Sequence, residues 1–176
     1  MTKKEKLEII NHAISNIEMC RCYFTYDENY FYYYPNAVND KFILGQEEDD
    51  FSLDGYAIRE ISNLKIVEIR DDKCNEINKE IGLTEKIQKP DIDLSSWESI
   101  FNSLKAVNEV VIIENEFNNE FVIGVIQKVL KNKLYFLDFD ADGVWSSEPL
   151  EIPYSSITSV QWNTRYTTTW KKYLKI

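Results

Sequence analysis

The chain has 176 residues, a net charge of −10 and 44% hydrophobic residues, with 11 Tyr, 9 Phe and 4 Trp. That much apolar and aromatic material excludes a disordered chain, and the scarcity of Gly (5) and Pro (4) excludes long flexible linkers. The negative charge works against phosphate backbones and anionic membranes; it either favours a basic partner or serves solubility.

The length allows one domain or two small ones. Cys20 and Cys22 sit two apart in a strand-like run, so they share a face in poor disulfide geometry. With Cys74 the count is odd, which fits a reduced, cytosolic protein. The opening MTKKEKLEIINHAISN has early lysines and no apolar run behind them, so it does not read as a signal peptide. No apolar stretch approaches membrane-spanning length.

In chain order, residues 4–17 predict an amphipathic helix, with Leu7, Ile10, Ile14 and Ile17 at helical spacing. Thr2 and Glu5 offer a capping box. Strands follow at 19–26 and 30–34, separated by the turn Asp27-Glu28-Asn29, with Pro35 expected to stop the second. A third strand is expected at 41–44. The acidic loop Glu47-Glu48-Asp49-Asp50 then leads to a turn at Asp54-Gly55. Two more strands are expected around 56–61 and at 64–69. Residues 73–82 read as a short helix with Ile77 and Ile81 inward, stopped by Gly82.

The pattern then restarts after a connection at 84–94. Ser95 and Glu98 offer a second capping box, and Trp97, Ile100, Phe101, Leu104 and Val107 mark a second amphipathic helix. Strands are expected at 110–116, 121–129 and 133–139, then at LEIPY and SVQW (residues 150–154 and 159–162). Trp170, Tyr173 and Leu174 read as a terminal helical turn. Tyr56, Ile58 and Ile61 align with Ile152, Tyr154 and Ile157, and Leu64 and Ile66 with Val160 and Trp162. The expectation is a mainly β, α+β protein with two similar units, 1–83 and 95–176, each a helix followed by a small β-barrel.

The order helix, strand, long strand with a central Gly124, strand, then two closing strands resembles the Sm-like fold, a small open barrel of the SH3-like kind. The resemblance covers residues 97–162 and, more faintly, 5–69. In that family RNA is held by Asp-x-x-x-Asn in the hairpin of the second and third strands and by Arg-Gly between the fourth and fifth. Here those places read Gln127-Lys128-Val129-Leu130-Lys131-Asn132-Lys133 and Pro153-Tyr154-Ser155-Ser156, with neither motif. The resemblance therefore implies the fold without the RNA site. The segment DDFSLDGYAIREI (49–61) also resembles bacterial proteins to which no activity attaches.

Five constellations bear on function. Asp138-x-Asp140-x-Asp142-Gly143 opens like a calcium loop, although position 12 is Pro149 rather than a closing Glu; the alternative is a strand end with an Asp-Gly turn. Glu47, Glu48, Asp49, Asp50 and Asp54 form an acidic cluster that either receives a basic partner or is a solvated loop. Cys20, Cys22 and Cys74 with His12 lack a zinc spacing and read as core cysteines. Tyr30, Tyr32 and Tyr34 face one way along a strand, without basic neighbours in sequence, and read as an interface between the units. Arg165, Lys171, Lys172 and Lys175 form a basic end that suits a helix dipole.

There is no Gly-rich phosphate loop, no H-E-x-x-H and no G-x-S-x-G. The expectation is a non-enzymatic, cytosolic protein-binding module without a cofactor, its partner a basic protein, in the manner of an acidic inhibitor or immunity protein. The alternative is an RNA-binding Sm-like protein.

Overall fold

Thr2 and Glu5 close the capping box their spacing predicts: the Thr2 hydroxyl accepts from Glu5 N (3.3 Å), and the Glu5 carboxylate accepts from Thr2 N (2.6 Å). The helix they start, α1, runs Lys3–Asn16 and buries Ile10 and Ala13. Ile17 is not on its inner face. It is the left-handed C-cap (φ 53°), which turns its side chain outward. The computed structural model describes all 176 residues, in two units, Met1–Pro90 and Asp91–Ile176. The division falls inside the expected connection. No helix is long and apolar enough to cross a membrane.

In the first unit α1 is followed by β1 (Cys20–Phe24), β2 (Tyr30–Val38), β3 (Phe42–Asp49), β4 (Ser52–Glu60), β5 (Leu64–Ile69) and α2 (Cys74–Glu80). The strands are antiparallel in the order β5-β1-β2-β3-β4. Alternation along β1 sends Cys20, Cys22 and Phe24 inward, where they meet Ile10 and Ala13 of α1 with Tyr33, Ile43, Ala57, Leu64 and Val67. Burial of these side chains away from water holds the layer together.

Three local expectations fail here. Pro35 does not stop β2. It sits at a bulge in which Asn36 is the extra residue, and a bulge tolerates the missing N–H. Asp54-Gly55 is not the hairpin turn. The turn is Asp50-Phe51, both left-handed (φ 46° and 63°), as a two-residue hairpin on right-twisted strands requires. Asp54 and Gly55 instead lie in β4, where it carries one more residue than β3; Gly55 takes φ 72° there. Lastly, Ile77 and Ile81 face outward, and α2 docks through asparagines. Asn75 Oδ1 accepts from Met19 N (2.8 Å), and Asn78 Nδ2 donates to the Tyr34 hydroxyl (2.9 Å). Gly82 (φ 72°) does end the helical run.

The second unit runs α3 (Trp97–Ala106), β6 (Val110–Asn115), β7 (Glu120–Val129), β8 (Lys133–Asp138), β9 (Leu150–Pro153), β10 (Ser159–Trp162) and α4 (Arg165–Leu174). Its order is β10-β6-β7-β8-β9, so in both units the fifth strand lies beside the first. Ser96, not Ser95, caps α3, accepting from Ser99 N (3.1 Å). The expected terminal turn is a ten-residue helix capped by Thr164. Its Trp170 packs on Phe139 (ring centroids 5.1 Å apart), beside Trp145, Val110, Ile112 and Ile123.

The second strand of each unit changes partners midway. β7 pairs with β6 over Glu120–Val125 and with β8 over Gly124–Val129. β2 pairs with β1 up to Tyr33 and with β3 from Tyr33 onward. At the β7 changeover no side chain fits: a Cβ on Gly124 would lie 2.1 Å from the Leu137 carbonyl oxygen. Neither sheet closes on itself, since the first and last strands of each order are unpaired with one another. The fold is therefore α+β with open antiparallel sheets rather than closed barrels. In the second unit the obstacle is visible: β9 has only four residues and ends in Pro153, which lacks an N–H for a closing ladder.

Candidate functional site

The most chemically dense region is the first half of β2 with the β3–β4 hairpin. Strand alternation splits the aromatic run. Phe31 and Tyr33 turn to the core under α1, and Tyr30 and Tyr32 turn to the opposite face.

That opposite face has basic companions, contrary to the sequence reading. Arg21 lies directly across from Tyr32 in the β1–β2 register. Its guanidinium stands 5.0 Å from the Tyr30 ring centre and 5.8 Å from that of Tyr32. Arg70 covers Tyr32 more closely, at 3.9 Å. Glu68 (2.9 Å) anchors Arg21, and Asp72 (2.7 Å) anchors Arg70. For both arginines burial opposes the charge, but the hydrogen bonds and neighbouring acids outweigh it and the pKa rises. The Arg70 hydrogen bond in turn holds the Asp72 carboxyl below its usual range.

On the core side Arg59 of β4 is 1% exposed. Its Nε donates to the Tyr33 hydroxyl (2.6 Å) and Nη1 to that of Tyr26 (3.1 Å), with Glu47 at 3.5 Å. Its guanidinium also lies 4.2 Å from the Phe31 ring centre. Burial pushes the Tyr33 hydroxyl well above its ordinary pKa, so it stays protonated and can donate to Glu47 (3.0 Å) while accepting from Arg59.

The acidic run is thereby divided. Glu47 and Glu48 are residues of β3, not of a loop, and both turn toward arginines. Glu48 is buried, lies 3.8 Å from Arg70, and accepts from Phe51 N (2.7 Å), which fixes the turn. Asp49 and Asp50 are exposed at the hairpin tip, and Asp54 is half-buried in the bulge. Between the aromatic row and this hairpin lies a hollow of about 330 Å³. Tyr30, Phe31 and Tyr32 form one side, and Glu47, Glu48, Asp49 and Asp54 the other. A smaller hollow of about 120 Å³ lies beside it, bounded by Tyr32, Arg70, Phe51 and Cys74 among others. Aromatic faces and carboxylates together recognise cations.

The other sequence candidates are placed differently. Asp138 ends β8, with one buried carboxylate oxygen lacking a partner. The Asp140 carboxylate accepts from Asp142 N and Val144 N (2.9 Å each), which closes the Asp-Gly turn. No group of three or more His, Cys, Asp or Glu side chains is gathered as a metal would need. Cys20 and Cys22 are buried in the core, Cys74 lies apart, and His12 faces Glu18 at 3.4 Å. Lys171 of the basic end donates to the Asn108 carbonyl (3.1 Å) and pairs with Glu109 (3.3 Å).

Arg21, Arg59 and Arg70 are the functional neighbours that sequence reasoning missed. Each is remote in sequence from the ring it covers, and an arginine in a strand reads as solvent-facing until its partners are known. No protein-family model matches the chain, and no curated protein or solved structure matches it either.

Proposed function

We propose that the chain is a non-enzymatic, cytosolic protein-binding module whose partner is a basic protein, in the manner of an acidic inhibitor or immunity protein. The observation that carries this reading is the hollow beside β2: residues of the aromatic run line one side, four acidic residues line the other, and no basic residue lines it. Tyr30 and Tyr32 already hold Arg21 and Arg70 within this chain, which illustrates the chemistry a partner's arginine or lysine would meet. The net charge of −10 steers such a partner toward the surface. The shared strand order and the mid-strand change of partners support a finer reading of the fold as two tandem, open Sm-like units arising by duplication.

Titration with an arginine-rich peptide at low and moderate salt tests the proposal. Micromolar binding should weaken at least tenfold when Asp49, Asp50 and Asp54 become asparagine together, with melting unchanged. Glu47 and Glu48 are left intact because they support the arginines of the sheet. Binding of single-stranded RNA that falls steeply with salt, with no binding of the peptide, would favour the Sm-like RNA-binding alternative instead.

A further inference from the structure

The second unit contains a separate groove of about 670 Å³, bounded by the β6–β7 hairpin on one side and by β9 on the other. Both walls are strand edges without a strand partner. Glu120–Val122 of β7 pair with β6 on one side only. The other edge of β7 is taken up from Ile123 onward, where the Ile123 carbonyl accepts from Phe139 N (3.2 Å) and pairing with β8 begins at Gly124. β9 pairs with β8 and is the last strand in the order. The Tyr154 N to Asn132 carbonyl bond (3.1 Å) continues the β8 ladder, so Leu150 and Ile152 turn their main-chain groups to β8, and the free edge of β9 carries the N–H and carbonyl of Glu151 with the carbonyl of Pro153.

The walls also differ in chemistry from the rest of the surface. Phe121 (50% exposed), Leu150 (40% exposed) and Ile152 supply apolar surface to the groove. Glu114, Glu120 and Glu151 are the charged residues lining it, and no lysine or arginine does. Glu151 is neutralised by Lys133 at 2.8 Å. Glu114 and Glu120 instead hydrogen-bond neutral amides, those of Gln161 and of Asn115 and Asn118.

We propose that this groove accepts an extended segment of a partner protein, alternating apolar and basic residues, which adds as a strand along β9. An extended chain is the occupant that satisfies unpaired main-chain groups, with side-chain pockets setting specificity. Alternation places apolar side chains on the face of Leu150 and Ile152 and cationic ones on the opposite face, which Glu114 shares; Glu120 adds its charge from across the groove. A second copy of this chain, itself at −10, and a nucleic acid both meet unfavourable charge.

The probe is an end-capped eight-residue peptide of alternating valine and lysine, titrated against the full chain by fluorescence anisotropy, with amide hydrogen exchange read at residue level. Micromolar binding is expected, with slowed exchange at the Glu151 amide. The combined change Glu114→Gln and Glu120→Gln should weaken binding at least tenfold with melting unchanged. Methylating alternate peptide nitrogens should weaken it similarly, since that removes main-chain donors without changing charge. The Asp49, Asp50 and Asp54 variant should bind this peptide normally, which separates this site from the hollow of the first unit. Absence of binding, binding indifferent to both glutamates, protection confined to other residues, or a peptide-free dimer protecting the same amide would each overturn the proposal.

Discussion

The Nε of Arg59 donates a 2.6 Å hydrogen bond to the hydroxyl of Tyr33, joining the fourth strand to the second inside the first unit. A guanidinium buried to this degree is tolerated only because Tyr33, Tyr26 and Glu47 satisfy it and Phe31 offers its ring face. Arg59→Ala strands Glu47 and two hydroxyls, and should cost about 3–5 kcal/mol in urea denaturation. Tyr33→Phe removes one acceptor and should cost about 1–3 kcal/mol. The two changes share one network, so the double variant should lose less than the sum. Strict additivity would show that the network is not the source of the effect.

Gly124→Ala should be far more damaging than Gly82→Ala. The first places a methyl 2.1 Å from the Leu137 carbonyl oxygen, so the backbone must separate where β7 changes partners. A loss above about 3 kcal/mol is expected, in the range of severe overpacking. At Gly82 a Cβ would meet only the Glu85 carboxylate at 3.8 Å, an ordinary contact, so the left-handed φ of 72° is what opposes a side chain, for which about 1 kcal/mol is the ordinary cost. Comparable losses in thermal melts would contradict the close-approach argument.

Tyr32 tests the arginine face. Tyr32→Ala removes the ring beneath Arg70 at 3.9 Å and beside Arg21 at 5.8 Å, and should cost about 1–2 kcal/mol in denaturant titrations. Tyr32→Phe keeps the ring and should stay within about 0.5 kcal/mol of the parent, the usual range for a change outside the core. In the peptide titration, the alanine variant should also bind the arginine-rich probe more weakly, because the same ring lines the hollow.

Alkaline pH should unfold the protein from below its usual limit. Burial pushes the Cys20 thiol from 9.0 to about 12 and the Tyr154 hydroxyl from 10.0 to about 12. Both groups hold their proton more tightly folded than unfolded. Their contribution to stability is therefore complete below pH 9 and is lost progressively as pH rises toward about 12. Urea midpoints measured from pH 7 to 11 should decline over the upper part of that range. Alkylation at pH 8 should modify half-buried Cys74 first and leave Cys20 and Cys22 intact until the chain unfolds. Equal labelling of all three thiols in the native state would refute the burial argument.

Local order was legible in the sequence wherever one residue decides one geometry. The Thr2–Glu5 box, the glycine within 121–129 and the alternation of Cys20, Cys22 and Phe24 are such cases. Errors arose where two distant segments decide together. Pro35 is harmless only because β3 faces a bulge, and Ile77 is exposed because Asn75 and Asn78 find polar partners on Met19 and Tyr34. Two of the five residues of the acidic cluster were misplaced for the same reason: Glu47 and Glu48 turn toward the sheet because Arg59 and Arg70 wait there. Charge pattern alone carries no record of such pairing.

The strand order also sets the sequence of events in folding. Within the first unit β1 to β4 can form by neighbouring turns, but β5 must return to β1, pairing Ile69 with Cys20 across the intervening chain. Until that long loop closes, α1 lacks much of the surface it covers, and loop-closure entropy is lost before the reward arrives. Late docking of β5 is the expected kinetic bottleneck. A nascent chain emerging only as far as Leu64 should hold an exposed, unpaired β1 edge, the form of this protein most prone to aggregate.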